Sequence, residues 1–192
     1  MVDHRDSFVH NLASYFRECG VDLTTLRPEA ARRVLREVER GQLAAPDLLI
    51  LSPGPGCPSE FGIADTLALA EASNLAVFGV CLGLQGMVEY FGGSLRQLSV
   101  PVHGKASSIT HASSGLFAGI DSPFKAGRYH SLVADELPSC LRVTARSEDG
   151  EVMAIEHENL AMAAVQFHPE SILTTSGHDL LRNFLQNISM AY

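Results

Sequence analysis

The chain has no run of about 18 apolar residues, so no membrane-spanning helix is expected. Its start, Met1-Val2-Asp3-His4-Arg5-Asp6, lacks the apolar core of a signal peptide. Positive charge is scarce: 14 Lys and Arg stand against 22 Asp and Glu, a formal net charge of −8. A protein that tracks nucleic-acid phosphates needs a basic face, so a nucleic-acid partner is not expected. The four cysteines, Cys19, Cys57, Cys81 and Cys140, contain no CxxC pair, which removes zinc ribbons and thioredoxin-type motifs. A chain with enough apolar residues for a core needs no disulfide framework, and reduced thiols fit a cytoplasmic location. The eight histidines show no HExxH and no ligand spacing, so no metal site is expected. The phosphate-loop pattern GxxxxGK[ST] is missing too. Repeats, low-complexity segments and long linkers are absent.

What remains is an ordinary globular composition, 46% hydrophobic and 19% charged over 192 residues, which suits one domain spanning 1–192. Ser7 stands where it would cap a first helix, with Phe8, Leu12, Tyr15 and Phe16 on one face and Gly20 ending it. Pro28 opens a second helix with Ala31, Val34, Leu35 and Val38 as its apolar stripe and Gly41 as its stop. Leu48-Leu49-Ile50-Leu51 reads as a parallel strand covered on both faces. A Pro/Gly loop from Ser52 to Pro58 follows, then a helix from about Ile63 to Glu71. Val77–Val80 is another buried strand, running straight into a helix with Leu84, Met87, Val88 and Phe91 at helical spacing. This alternation predicts an α/β fold with a parallel sheet. Short strands at Ala106–Thr110, Leu141–Ala145, Val152–Glu156 and Met162–Phe167, separated by turn signals, predict an antiparallel extension. A last helix covers about His178 to Asn187. The expected architecture is a three-layer open mixed sheet, mostly parallel, with that extension. Only Met1-Val2-Asp3 precede the first helix, where a doubly wound fold has a full strand.

The segment Gly79-Val80-Cys81-Leu82-Gly83 places a thiol between a buried strand and a helix start. That is the arrangement of a nucleophile elbow, with G-x-C-x-G in place of G-x-S-x-G. Helix N–H groups beside the sulfur would lower its pKa. Taken alone, Cys81 reads equally well as a small buried hydrophobe. A thiolate nucleophile needs a base, and the base an orienting acceptor. His168 and Glu170, in Phe167-His168-Pro169-Glu170, are the candidates; alone they read as a strand-end histidine and a solvated glutamate. Gly54 and Gly56 lie in a loop that follows a strand, at the sheet edge where α/β ligands bind, and their backbone can approach a ligand closely.

Four segments together carry a resemblance: Leu51-Ser52-Pro53-Gly54-Pro55-Gly56, Gly79-Val80-Cys81-Leu82-Gly83, Arg128-Tyr129-His130-Ser131-Leu132 and Phe167-His168-Pro169-Glu170. In order and in wording they resemble the class I, triad-type glutamine amidotransferases, which implies a flavodoxin-like fold. Val102-His103-Gly104-Lys105 and Arg128–Leu132 resemble the glutaminase components of anthranilate and aminodeoxychorismate synthases. The opening Val2–Phe8 is similar to the segment that follows the family's first strand, closest to fused, single-chain anthranilate synthases. That wording implies a domain cut from a longer polypeptide.

The resemblance implies that Cys81 attacks the amide of L-glutamine, with His168 as base and Glu170 as its orienter. It implies oxyanion donors at the backbone of Gly56 and Leu82. Gly54, Pro55, Gly56, Gln85, Ser131 and Leu132 would hold glutamine. The resemblance further implies that the glutaminase step needs no cofactor and that magnesium would belong to the chorismate-binding synthase that receives the ammonia. One departure is Leu84, where the family usually has histidine. Three rivals stand beside this reading: the aminodeoxychorismate branch, a non-catalytic binding homologue, and a cysteine hydrolase with a similar elbow.

Overall fold

Helix α1 covers Val9–Glu18 in the computed structural model, which describes residues 1–190. Ser7 does not cap it. The helix begins one residue after Phe8 with no side-chain cap, and the Asp6 carboxylate accepts the Phe8 N–H at 2.8 Å in the turn that leads into it. Gly20, at φ +89°, ends the helix: its N–H and that of Val21 return to the carbonyls of Arg17 and Phe16. Helix α2, Pro28–Glu39, starts at its proline and buries Ala31, Leu35 and Val38, with Val34 half-buried. Helices α3 (Ile63–Ala72), α4 (Leu82–Tyr90) and α5 (Gly177–Met190) follow.

The strands are β1 (Leu48–Leu51), β2 (Ala76–Val80), β3 (Leu95–His111), β4 (Phe124–Ala134), β5 (Leu141–Ser147), β6 (Val152–His157) and β7 (Met162–Val165). They form one mixed sheet in the order β1-β2-β7-β6-β5-β3-β4. β1, β2 and β7 run parallel at one end; the remaining neighbours pair antiparallel. The antiparallel part is larger than the sequence suggests. β3 extends far ahead of Ala106, with register breaks between Gln97 and Val102 and between His103 and Lys105. Pro101 and Gly104 (φ +68°) sit in those two breaks and mask the strand in the sequence. β4 is a further strand that hydrophobic alternation alone does not reveal.

Side chains alternate across the parallel strands into two apolar clusters. Ile50, Phe78, Val80, Ala163 and Val165 pack against α1 and α5. Leu49, Leu51, Val77, Met162 and Ala164 pack against α2, α3 and α4. Helices therefore cover both faces, giving three layers. Val2 bridges Leu26 and Leu51 in parallel, so the opening residues occupy a strand position beside β1. All four cysteines are free thiols, and no described helix is long and apolar enough to cross a membrane.

Candidate active site

Because β1, β2 and β7 are parallel, their carboxyl ends reach one edge of the sheet. The residues that follow them, Ser52, Cys81 and Gln166, begin the loops of that edge. Cys81 stands at φ 52°, ψ −97°, a conformation that side chains rarely adopt and that costs about 1–3 kcal/mol. Its N–H is tied to the Val165 carbonyl at 2.8 Å, and α4 starts at the next residue. The flanking glycines make the turn possible. A side chain at Gly79 would lie 2.8 Å from the Gly83 carbonyl carbon, and one at Gly83 2.8 Å from the Leu51 carbonyl oxygen. The sulfur's residue is 6% exposed and sits at the N-terminus of α4, whose first N–H groups have no acceptor within the helix. These N–H groups place partial positive charge beside the sulfur.

After β7 the chain crosses to β4. The His168 N–H donates to the Gly127 carbonyl at 3.0 Å, the Thr174 hydroxyl donates to the His168 carbonyl, and the Gly127 N–H donates to the Thr174 hydroxyl. These bonds pin the His168 backbone on both sides. His168 Nδ1 lies 2.8 Å from Glu170 Oε1, and both residues are almost wholly buried. A carboxylate facing Nδ1 holds the proton there and leaves Nε2 as the basic atom. Nε2 makes no well-formed hydrogen bond among the described residues, yet the Cys81 sulfur is near enough to act on its charge. Burial opposes a charge on His168, but the Cys81 sulfur, acting as a hydrogen-bond acceptor, and the Glu170 carboxylate together outweigh it and raise its pKa to about 10. The rings of Phe8 and Tyr129 flank the imidazole, with centroids 4.9 and 5.0 Å away.

The glutamine-binding candidates fall around this centre. Gly54 packs beneath Leu82 and His4, where an added Cβ would meet Leu82 Cδ2 at 2.5 Å. Pro55 and Gly56 are exposed, and Gly56 takes φ +70° with the Glu60 carboxylate against it. His4 braces the same loop through Ser52: its N–H donates to the Ser52 hydroxyl, and its Nδ1 lies 2.9 Å from the Ser52 carbonyl oxygen. Gln85, one turn into α4, donates from Nε2 to the Leu132 carbonyl at 3.2 Å. Ser131 and Leu132 are half-buried on β4. Leu84 is fully buried in the cluster with Met87 and Val88, on the α2–α4 side of the sheet.

Sequence reasoning missed several partners. Gln166 is fully buried and donates from Nε2 to the Cys81 sulfur at 3.4 Å. Arg128 is 2% exposed; its Nε donates to His130 Nε2 at 3.1 Å and its Nη1 to Asp149 at 3.0 Å. His130 Nδ1 in turn lies 3.1 Å from the Leu132 carbonyl. Burial first, then the Arg128 charge, lower the His130 pKa to about 4, so the ring is neutral. The signal for Arg128 and His130 was their place at alternate positions of β4, in line with Phe124 and Ala126. Among the described residues no His, Cys, Asp or Glu side chains gather as a metal ion requires.

Residues 1–188 match the family model for glutamine amidotransferase class-I. An anthranilate synthase of Azospirillum brasilense is 56% identical over 92% of this chain, and the chain spans 24% of that protein. The aminodeoxychorismate/anthranilate synthase component 2 of Bacillus subtilis is 42% identical over 97% of this chain and 94% of its own length. The crystal structure of a GMP synthase subunit from Thermoplasma acidophilum superposes with a TM-score of 0.87 at 25% identity, over 99% of this chain and 92% of that one. With a family model covering nearly all of it and a thiol elbow set beside a buried His–Glu pair, the chain belongs to the class I glutamine amidotransferases.

Proposed function

We propose that this chain is the glutaminase of an anthranilate synthase, releasing ammonia from L-glutamine for a chorismate-binding synthase. The observation that carries the reading is Cys81 on its strained elbow with the buried His168–Glu170 pair beside it. The Cys81 sulfur attacks the side-chain amide carbon, and the C=O electrons move onto oxygen. Backbone N–H groups of Leu82 and Gly56 receive that oxyanion. Leu82 suits the role as the first residue of α4, with no helical carbonyl behind it. His168 gives its proton to the leaving nitrogen, the C–N bond breaks, and ammonia departs from a glutamyl thioester. Water, deprotonated at His168 Nε2, then attacks the thioester and releases glutamate and the thiol. Gly54, Pro55, Gln85, Ser131 and Leu132 hold the substrate. No step draws on a cofactor; magnesium enters only with the synthase.

Ammonia released into neutral water protonates and stops being a nucleophile, so the glutaminase must sit against its acceptor. The synthase is a separate polypeptide or a fused segment; this chain spans 24% of the Azospirillum relative and 94% of the Bacillus one. The donor at Gly56 lies on the exposed loop after β1, while the one at Leu82 is held at the start of α4, and a misplacement of about 1 Å between them costs ~100-fold. The isolated chain is therefore expected to hydrolyse glutamine slowly and to speed up with synthase and chorismate. The deciding experiment supplies amide-15N glutamine, chorismate and the synthase, and identifies the aminated product by mass. Labelled anthranilate supports the reading. Labelled aminodeoxychorismate would move it to the second branch, which the double name of the Bacillus relative keeps in play.

A further inference from the structure

Two amide side chains link β4 to the nucleophile, and the direction of every bond they make is determined. The Leu132 carbonyl can only accept. The Gln85 atom 3.2 Å from it is therefore the amide nitrogen, Nε2. That same Nε2 lies 3.4 Å from one atom of the Gln166 amide, which must then be its oxygen. The opposite end of Gln166, its NH2 group, is left facing the Cys81 sulfur at 3.4 Å. The anchor is firm as well. Arg128 Nε donates to His130 Nε2, so the neutral His130 carries its proton on Nδ1 and gives it to the same Leu132 carbonyl.

We infer that Gln166 is a further catalytic residue, whose Nε2–H donates to the Cys81 sulfur and stabilises the thiolate, with Gln85 as the residue that orients it. The inference rests on the reading of Cys81 as nucleophile. A hydrogen bond to the charged form of an acid favours that form. Gln166 is fully buried, so its donor works in a medium where such a bond counts for more than in water. The other groups that act on the sulfur are the N-terminus of α4 and His168, with Glu170 behind His168. Gln166 adds a neutral donor that keeps its orientation when His168 loses its proton to the leaving group. Gln85 gains a second task by the same geometry. Its Nε2 is committed inside the protein, so only Oε1 is left for a bound glutamine.

The test is the pH dependence of Cys81 alkylation by iodoacetamide in the full chain, read peptide by peptide in a mass spectrometer so that Cys57 is counted separately. The variants are Gln166→Met, Gln166→Glu and Gln85→Leu, each checked for folding by circular dichroism. Gln166→Met is expected to raise the midpoint by about one unit, slowing alkylation below it about tenfold. Gln166→Glu sets an oxygen against the sulfur and is expected to shift it at least as far. Gln85→Leu frees the Gln166 amide to turn and is expected to give a smaller shift in the same direction. A folded variant with an unmoved midpoint overturns the assignment, and Gln85→Leu decides it if neither Gln166 variant folds. Glutamate release by the unaltered chain with synthase and chorismate is measured in parallel. A shifted midpoint without any glutamate release supports the Gln166 contact and overturns the glutaminase reading.

Discussion

His168 Nδ1 and Glu170 Oε1 lie 2.8 Å apart in a pair that water barely reaches. The base and its orienter have unequal weight. Removing the orienter leaves an imidazole still pinned through its backbone to Gly127 and Thr174. Removing the base leaves no proton carrier. His168→Ala is expected to lower kcat/KM for glutamate release by about 10²–10⁴-fold, and Glu170→Gln by clearly less. Steady-state assays with synthase and chorismate check this. Near-normal turnover in His168→Ala would show that another group is the base.

Buried neutral histidines make the fold acid-sensitive. Burial lowers the pKa of His4, and burial with Arg128 that of His130, in each case to about 4 from an ordinary 6.5. A depressed folded-state pKa means that the unfolded chain takes up protons first as pH falls. The stabilisation is complete above about 6.5 and is lost progressively toward pH 4. Each histidine contributes on the order of 3 kcal/mol to that loss. Urea unfolding at pH 7, 6, 5 and 4 should show His130→Asn losing less stability than the parent over this range. Parallel losses would mean that His130 takes up its proton over the same pH range in the folded and the unfolded chain.

The difference between what the sequence revealed and what it hid lies in β4 and β3. Leu48–Leu51 and Val77–Val80 are apolar on both faces, because helices cover both, so their runs are unbroken and legible. β4 instead places Arg128 and His130 on its inner face, and those polar residues erase the alternation that marks a strand. β3 was broken in the sequence by Pro101 and Gly104, which sit in its irregularities. At the site the same division holds. Cys81 and the glycines around it are local and could be read from spacing. The contacts of Gln166 with Gln85 and of Arg128 with Asp149 join residues far apart in sequence, and no local pattern announces them.

Gly83 supports the elbow by having no side chain. A methyl group there would lie 2.8 Å from the Leu51 carbonyl oxygen and 2.9 Å from Leu51 Cβ, both fixed in β1. Gly83→Ala is expected to cost about 1–3 kcal/mol through overpacking and to cut glutamate release by tilting the start of α4. Gly92→Ala is the comparison. Gly92 lies beyond the far end of α4 at φ +92° with nothing within 4 Å of an added Cβ. It should lose stability through backbone strain alone and keep its activity. Thermal melts and assays on both variants separate the effects; equal losses of activity would remove the special role of Gly83.

Leu84 tests the one departure from the usual family pattern. It is fully buried among Leu82, Met87 and Val88, in the cluster on the side of the sheet away from α1 and α5, whereas Cys81 belongs to the opposite cluster. A histidine at this position brings a polar ring into an apolar cluster, where an unpaired polar group costs about 1–3 kcal/mol. Leu84→His is therefore expected to lower the melting temperature while leaving KM for glutamine little changed, since the side chain packs away from the thiol. Melting curves and glutamine saturation curves, with the synthase present, give the two readouts. If the unaltered chain releases no glutamate and Leu84→His does, the departure itself disabled the site. The chain would then be a homologue that kept the fold and the elbow but lost turnover.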